Sequence, residues 1–155
     1  MNDTTERSQT HATFVIERTY RAPVERVWHA LSDDDARDQW FGGGPAFAVE
    51  EKSHDFRVGG GGTEDGQWHG GPRSRFTSTY TDIVEHRRIV FTYDMWVDGR
   101  HLSTSLTTIA LEPDGAGTRL THTEQGVHFD GLDSPAGREE GTRGILDQLG
   151  AHLGG

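Results

Sequence analysis

Hydrophobic positions along the chain follow two periods. Val24, Val27, Trp28 and Leu31 recur at i, i+3, i+4 and i+7, one face of a helix. Pro23 before them suits the first turn, where a missing N–H costs nothing, so a first helix is expected over residues 23–32. Upstream, Phe14, Val15, Ile16 and Tyr20 predict a strand over 11–20. Ser32 or Asp33 is placed to cap a second short helix, 34–40, which Gly42-Gly43-Gly44-Pro45 stops. Residues 47–51 and 55–58 read as short strands of a hairpin, and 59–71 as a glycine-rich loop holding Trp68 and His69, with a lid as the functional alternative for Trp68.

From there the period is two. Residues 75–84, 88–96, 101–111 and 118–124 predict four strands joined by turns at Glu85-His86-Arg87, Asp98-Gly99 and Pro113-Asp114-Gly115-Ala116-Gly117, an antiparallel meander. Ser134-Pro135 then opens a closing helix with Ile145, Leu146, Leu149 and Leu153 on one stripe. Residues 1–11 are expected to be a disordered tail, and 12–155 one domain.

Strand parity adds chemistry to this outline. Ile89, Phe91, Tyr93 and Met95 share a face, as do Ser103, Ser105, Thr107, Ile109 and Leu111, and then Leu120, His122 and Glu124. Each inward face is aliphatic at one end and polar at the other. An unpaired buried carboxylate is costly, so Glu124 needs water, an arginine or a ligand. A cavity lined by Tyr93, Met95, Ser103, Ser105, His122 and Glu124 meets that need, with Arg138 on the closing helix as a partner for Glu124. His122 reads first as a satisfied polar core residue, Trp28 as core, and Trp40-Phe41 as either a core plug or a guard at a cavity mouth. Tyr80 completes the expected cavity set.

Composition narrows the function. The chain has 155 residues, 32% of them hydrophobic, with 21 glycines and no cysteine. Disulfides and thiolate nucleophiles are therefore excluded. No run approaches a membrane span, and no secretory signal opens the chain, so no membrane insertion and a cytoplasmic location are expected. A formal net charge of −10 argues against nucleic acid as a partner. Lys52 is the single lysine and limits Schiff-base chemistry to that position. Gly59-Gly60-Gly61-Gly62 is followed by neither Gly-Lys-Ser/Thr nor a helix start, so it does not read as a phosphate cradle. No serine sits on a nucleophile elbow. The nine histidines form no paired helical metal motif; His101 and His122 with Glu124 are the one cross-strand alternative. No cofactor and no metal are expected.

Several motifs together resemble the activator of Hsp-90 ATPase homologue-like family of the START / polyketide cyclase / Bet v 1-like (SRPBCC) superfamily. They are Arg21-Ala22-Pro23-Val24-Glu25-Arg26-Val27-Trp28-His29-Ala30-Leu31, Gln39-Trp40-Phe41, Asp55-Phe56-Arg57-Val58-Gly59-Gly60, Arg88-Ile89-Val90-Phe91-Thr92-Tyr93, Gly117-Thr118-Arg119-Leu120 and Glu139-Glu140-Gly141. The resemblance runs over about residues 12–153 and implies an α+β helix-grip fold: a curved antiparallel sheet wrapped around a long C-terminal helix, with two short helices after the first strand. It also implies a cavity between sheet and helix, but no universal catalytic set. His122 stands where an aliphatic residue is usual in that family.

Three functions follow as expectations. One is binding of a small hydrophobic or amphipathic molecule, lipid-like or polyketide-like, in the cavity. Another is a cyclase- or hydrolase-type enzyme using His122 or Glu124 as a base. The third is an Hsp-90 co-chaperone-like activator, which a lone domain without the eukaryotic activator's additional N-terminal domain disfavours. A homodimer stays open.

Overall fold

The computed structural model describes residues 7–154. Seven strands form one antiparallel sheet in the order β1-β7-β6-β5-β4-β3-β2. Their ranges are β1 Gln9–Tyr20, β2 Phe47–His54, β3 Gly61–Trp68, β4 Arg73–Val84, β5 Arg88–Val97, β6 Arg100–Asp114 and β7 Gly117–Phe129. Helices α1 (Val24–Ser32) and α2 (Asp34–Asp38) follow β1, a short 3-10 turn (Gly44–Ala46) precedes β2, and α3 (Pro135–His152) closes the chain. This is the helix-grip, Bet v 1-like arrangement, with the sheet wrapped around α3.

The local signals act through ordinary chemistry. The Pro23 carbonyl accepts from Arg26 and Val27 at 3.0 and 3.1 Å, so Pro23 caps α1 from one position outside it. Asp33, rather than Ser32, caps α2, its carboxylate accepting from the Ala36 amide at 3.0 Å. Ser134 Oγ accepts from the Gly137 amide at 2.9 Å, with Pro135 in the first turn of α3. Asp98 and Gly99 both take positive φ, 50° and 78°, the pair of left-handed residues that a tight hairpin with native twist requires.

Ile16, Leu120, Leu149 and Val27 are the largest fully buried apolar side chains. Trp28 is buried among them as expected, its ring edge-on to Phe56 and His86 at 5.7 and 6.0 Å. α3 docks where Tyr20 Oη donates to the Leu146 carbonyl at 2.9 Å. A side chain on Gly150 would begin 3.2 Å from the Tyr20 ring, so glycine there lets the helix approach.

Three readings need correction. Residues 59–71 are not a loop: 61–68 are β3, paired with both β2 and β4. A Cβ on Gly61 would stand 1.8 Å from the Ser78 carbonyl oxygen, and one on Gly66 would stand 2.3 Å from that of Ala48. The glycines therefore mark close backbone approach within a sheet, not flexibility. Residues 55–58 are not a strand but part of the turn from β2 into β3, where Asp55 N–H donates to Gly61 O at 2.7 Å. Third, β1 begins at Gln9, inside the expected tail, because Gln9, Thr10 and His11 pair with Phe129, His128 and Val127 of β7. Arg7 and Ser8 are also tied, both to Asp130. Residues 1–6 lie outside the described residues.

Candidate functional site

A cavity of about 540 Å³ lies between the concave sheet and α3. Its walls are mostly aromatic and aliphatic: Phe41, Phe47, Trp68, Phe76, Phe91 and Met95, with Ile145 and Leu146 from α3. Register shifts at Val49/Glu51, Tyr80/Asp82 and Met95/Trp96 bend the sheet that encloses it. Gln148 of α3 donates to the Trp40 carbonyl at 2.6 Å, and Trp40 Nε1 donates to the Ala30 carbonyl at 2.8 Å. Those bonds tie Trp40 to α3 on one side and to α1 on the other.

Polar groups meet the cavity in two places. The first is Glu124 on β7, only 3% exposed. Tyr93 Oη donates to its Oε2 at 2.5 Å, His122 Nε2 lies 3.1 Å from Oε1, and Thr107 Oγ1 is 3.4 Å from Oε1. Arg138 stands 3.9 Å from Glu124 Oε2, and its guanidinium donates to Tyr93 Oη at 3.1 Å, to Ser103 Oγ at 2.7 Å and to Asp133 at 2.7 Å. Burial works to raise the Glu124 pKa. The donors His122 and Tyr93 and the charges of His122 and Arg138 outweigh it and hold the carboxyl below its ordinary value. Burial first, and then the neighbouring carboxylate, push the Tyr93 phenol up. The His122 ring, stacked at 6.1 Å from Phe14, has an unpartnered and fully covered Nδ1.

The second place lies four strands away, at β3 and α2. Arg37 and Glu64 both line the cavity, 9% and 8% exposed. The Arg37 guanidinium carbon sits 3.8 Å from the centre of the Phe41 ring. Among the described residues, neither charge has an opposite charge within salt-bridge distance. Burial lowers the Arg37 pKa and raises that of Glu64. Beside them His54 bridges Asp34 and Tyr80, with Nδ1 and Nε2 each at 2.6 Å from its partner. Asp34 can only accept, so Nδ1 carries the proton and a neutral Nε2 accepts from the Tyr80 hydroxyl. Burial, then the charge of Arg37, lowers the His54 pKa and favours that neutral ring.

Of the residues expected at the cavity, Trp40, Phe41, Tyr80, Tyr93, Met95, His122, Glu124 and Arg138 line it. Ser103 and Ser105 do not. Both are buried, at 0% and 2%, and Ser103 is covered by the Arg138 guanidinium that it accepts from. Parity put them on the inward face, but the Arg138 side chain lies over Ser103. The cross-strand metal alternative fails as well. Leu102 is the extra residue opposite the Met95/Trp96 step, so His101 turns to the outer face, onto Asp94 at 2.7 Å and the Trp96 ring at 4.1 Å. Among the described residues no cluster of three or more His, Cys, Asp or Glu side chains is suited to hold a metal.

Arg37, Glu64 and His54 escaped the sequence reading. Arg37 precedes Phe41 by four positions, a spacing that stacks a guanidinium on a ring. Glu64, Gly66 and Trp68 alternate with period two, a strand signal that the surrounding glycines masked.

A family model described as Activator of Hsp90 ATPase homolog 1-like protein matches residues 21–154. No curated protein matches the chain. Among solved structures, the Mll3558 protein of Rhizobium loti is 49% identical with a TM-score of 0.87, over 94% of this chain and 99% of that one. An uncharacterised protein of Rhizobium leguminosarum is 38% identical with a TM-score of 0.91, over 96% and 98%. CalU16 of Micromonospora echinospora, 22% identical with a TM-score of 0.61 over 97% and 87%, shares the fold. No helix among the described residues is long and apolar enough to cross a membrane.

Proposed function

The chain belongs to the activator of Hsp90 ATPase homologue 1-like family, and from that premise we propose that it binds a small hydrophobic or amphipathic molecule, lipid-like or polyketide-like, between its sheet and α3. The observation that carries this reading is the lining of the cavity. A space of about 540 Å³ walled by aromatic and aliphatic side chains, with charge confined to two places, matches what small-molecule sites require. The apolar walls supply affinity, and the few polar groups orient the ligand.

The enzyme alternative through His122 and Glu124 is less well supported. Both Glu124 oxygens already accept hydrogen bonds, and its lowered pKa makes it a weak base. The free nitrogen of His122, Nδ1, is covered. These groups are better suited to bracing β5, β7 and α3 around the cavity than to proton transfer. A chaperone-activating role is tested separately, by pull-down and an ATPase assay with the host chaperone.

Thermal-shift and native mass spectrometry screens against lipids and aromatic polyketides test the binding reading. Trp40 and Trp68 line the cavity, so their emission should respond to occupancy. A ligand at a hundredfold excess over its Kd should add about 2.7 kcal/mol of stability. A panel that changes neither melting temperature nor mass nor emission overturns the reading.

A further inference from the structure

We propose that Arg37 and Glu64 form a head-group subsite that selects a neutral group able both to accept and to donate hydrogen bonds, such as a primary amide or a hydroxyl, carried on an apolar tail. This rests on the cavity-binding reading above and names the class of ligand for it.

Charges 9% and 8% exposed are expensive unless paired, and these two are paired neither with each other nor, among the described residues, with any opposite charge at salt-bridge distance. Elsewhere in the molecule buried or half-buried charges find such partners: Arg138 has Asp133 at 2.7 Å, and Asp65 has Arg73 and Arg75 at 2.8 and 3.0 Å. Arg37 and Glu64 instead face the same cavity. The Tyr80 hydroxyl next to them is already committed to His54 at 2.6 Å. Residue 42 packs close to the Glu64 carboxylate, and as glycine it leaves room there: a Cβ would sit 2.9 Å from Oε1.

Hydrogen-bond polarity selects the group that completes the pair. Arg37 can only donate, and ionised Glu64 can only accept, so a ligand group that reaches both has to accept from the first and donate to the second. The electrostatics favour a neutral group. A carboxylate ligand would face Glu64 together with Asp34 and Asp38 around Arg37, whereas an ammonium would face Arg37 and the nearby Lys52. The aromatic surfaces of Phe41 and Trp40 beside the pair suit the first carbons of the tail.

A matched eight-carbon series tests this: octanamide, 1-octanol, methyl octyl ether, octanoate and octylamine, titrated into the full chain by calorimetry and tryptophan emission. Octanamide and 1-octanol are expected to bind at least about tenfold tighter than the ether, the ratio that one hydrogen bond to a charged group supports. Arg37→Met and Glu64→Leu should each erase that preference while leaving ether binding within about twofold, as removal of one partner breaks the two-sided contact. Arg37→Met should also keep or raise the melting temperature, because methionine can still pack on the Phe41 ring while a buried charge without a salt-bridge partner among the described residues is removed. If the ether binds as well as the amide, or octanoate binds tightest, or the variants keep the preference, the subsite is wrong and cavity binding stands. A marked fall in the melting temperature of Arg37→Met would make Arg37 structural and also overturn the subsite. If none of the five molecules binds, the cavity reading fails and the subsite with it.

Discussion

Replacing Tyr93 by phenylalanine isolates what holds a carboxylate inside this protein. Tyr93→Phe keeps the ring packing against Phe76 and Phe91 and removes one oxygen. That oxygen donates to Glu124 at 2.5 Å and accepts from Arg138 at 3.1 Å. Arg138 retains Ser103 and Asp133, so the loss falls on Glu124, which is 3% exposed and keeps His122, a long contact from Thr107 and the Arg138 charge at 3.9 Å. A hydrogen bond to a buried charged group contributes about 1.5–3 kcal/mol, so a loss of about 2 kcal/mol is expected at pH 7. In a domain of this size that lowers the melting temperature by about 4–8 °C. Urea unfolding followed by circular dichroism measures it, with an unchanged denaturant slope as the check that only stability moved. The dependence on pH carries a definite sign. Glu124 is held below its ordinary 4.5 in the folded state, so its stabilisation is complete above that value and drains as pH falls through the lowered folded pKa. Tyr93→Phe moves the folded pKa back up, and the deficit against the parent protein should therefore shrink as both carboxyls protonate below pH 4.5. In a Glu124→Leu background the same substitution should cost far less, since only the bond from Arg138 is then lost. A cost under about 0.5 kcal/mol, or one equal in both backgrounds, would refute the reasoning.

Two glycine substitutions should act in opposite directions in the same unfolding assay. Gly61→Ala drives a methyl to 1.8 Å from the Ser78 carbonyl oxygen and should cost about 3 kcal/mol, while Gly144→Ala, in mid-helix with no heavy atom within 4 Å, should gain about 0.8 kcal/mol. Asp33→Ala removes the cap of α2, which carries the cavity residue Arg37, and should cost about 1 kcal/mol, with faster amide exchange at Ala36 as the local readout.

The legible parts of the fold were those with local causes. The α1 stripe, the capped start of α3, the meander turns and the inward parity of β5, β6 and β7 all come from neighbours within a few residues. So does the placement of Tyr93, His122 and Glu124 on inward faces, which the structure reproduces. The failures share a different cause. Runs of glycine around 59–71 are locally indistinguishable from a flexible loop; only the proximity of Ser78 and Ala48 makes them strand residues. Ser103 points inward as parity says, but Arg138, 35 residues away along the chain, covers it. A one-residue bulge at Leu102 reversed the face of His101.

By itself, then, the chain's pattern determined a family of architecture and one wall of a cavity: period-two and period-3.6 segments in a fixed order, with an inward carboxylate that needed partners. Which partners it found was decided by tertiary structure, since Tyr93, His122 and Arg138 come from three elements brought together by register and helix docking. On the opposite wall Trp40, Phe41 and Tyr80 were legible in the sequence, but its two charges were decided by tertiary structure. Arg37 and Glu64 stand on α2 and β3, and nothing in either segment alone says that both turn toward the same cavity. The physical reason is range. Propensity, capping and periodicity act over a turn or a strand pair, whereas the energy of a buried charge depends on every group that closure of the sheet around α3 brings near it.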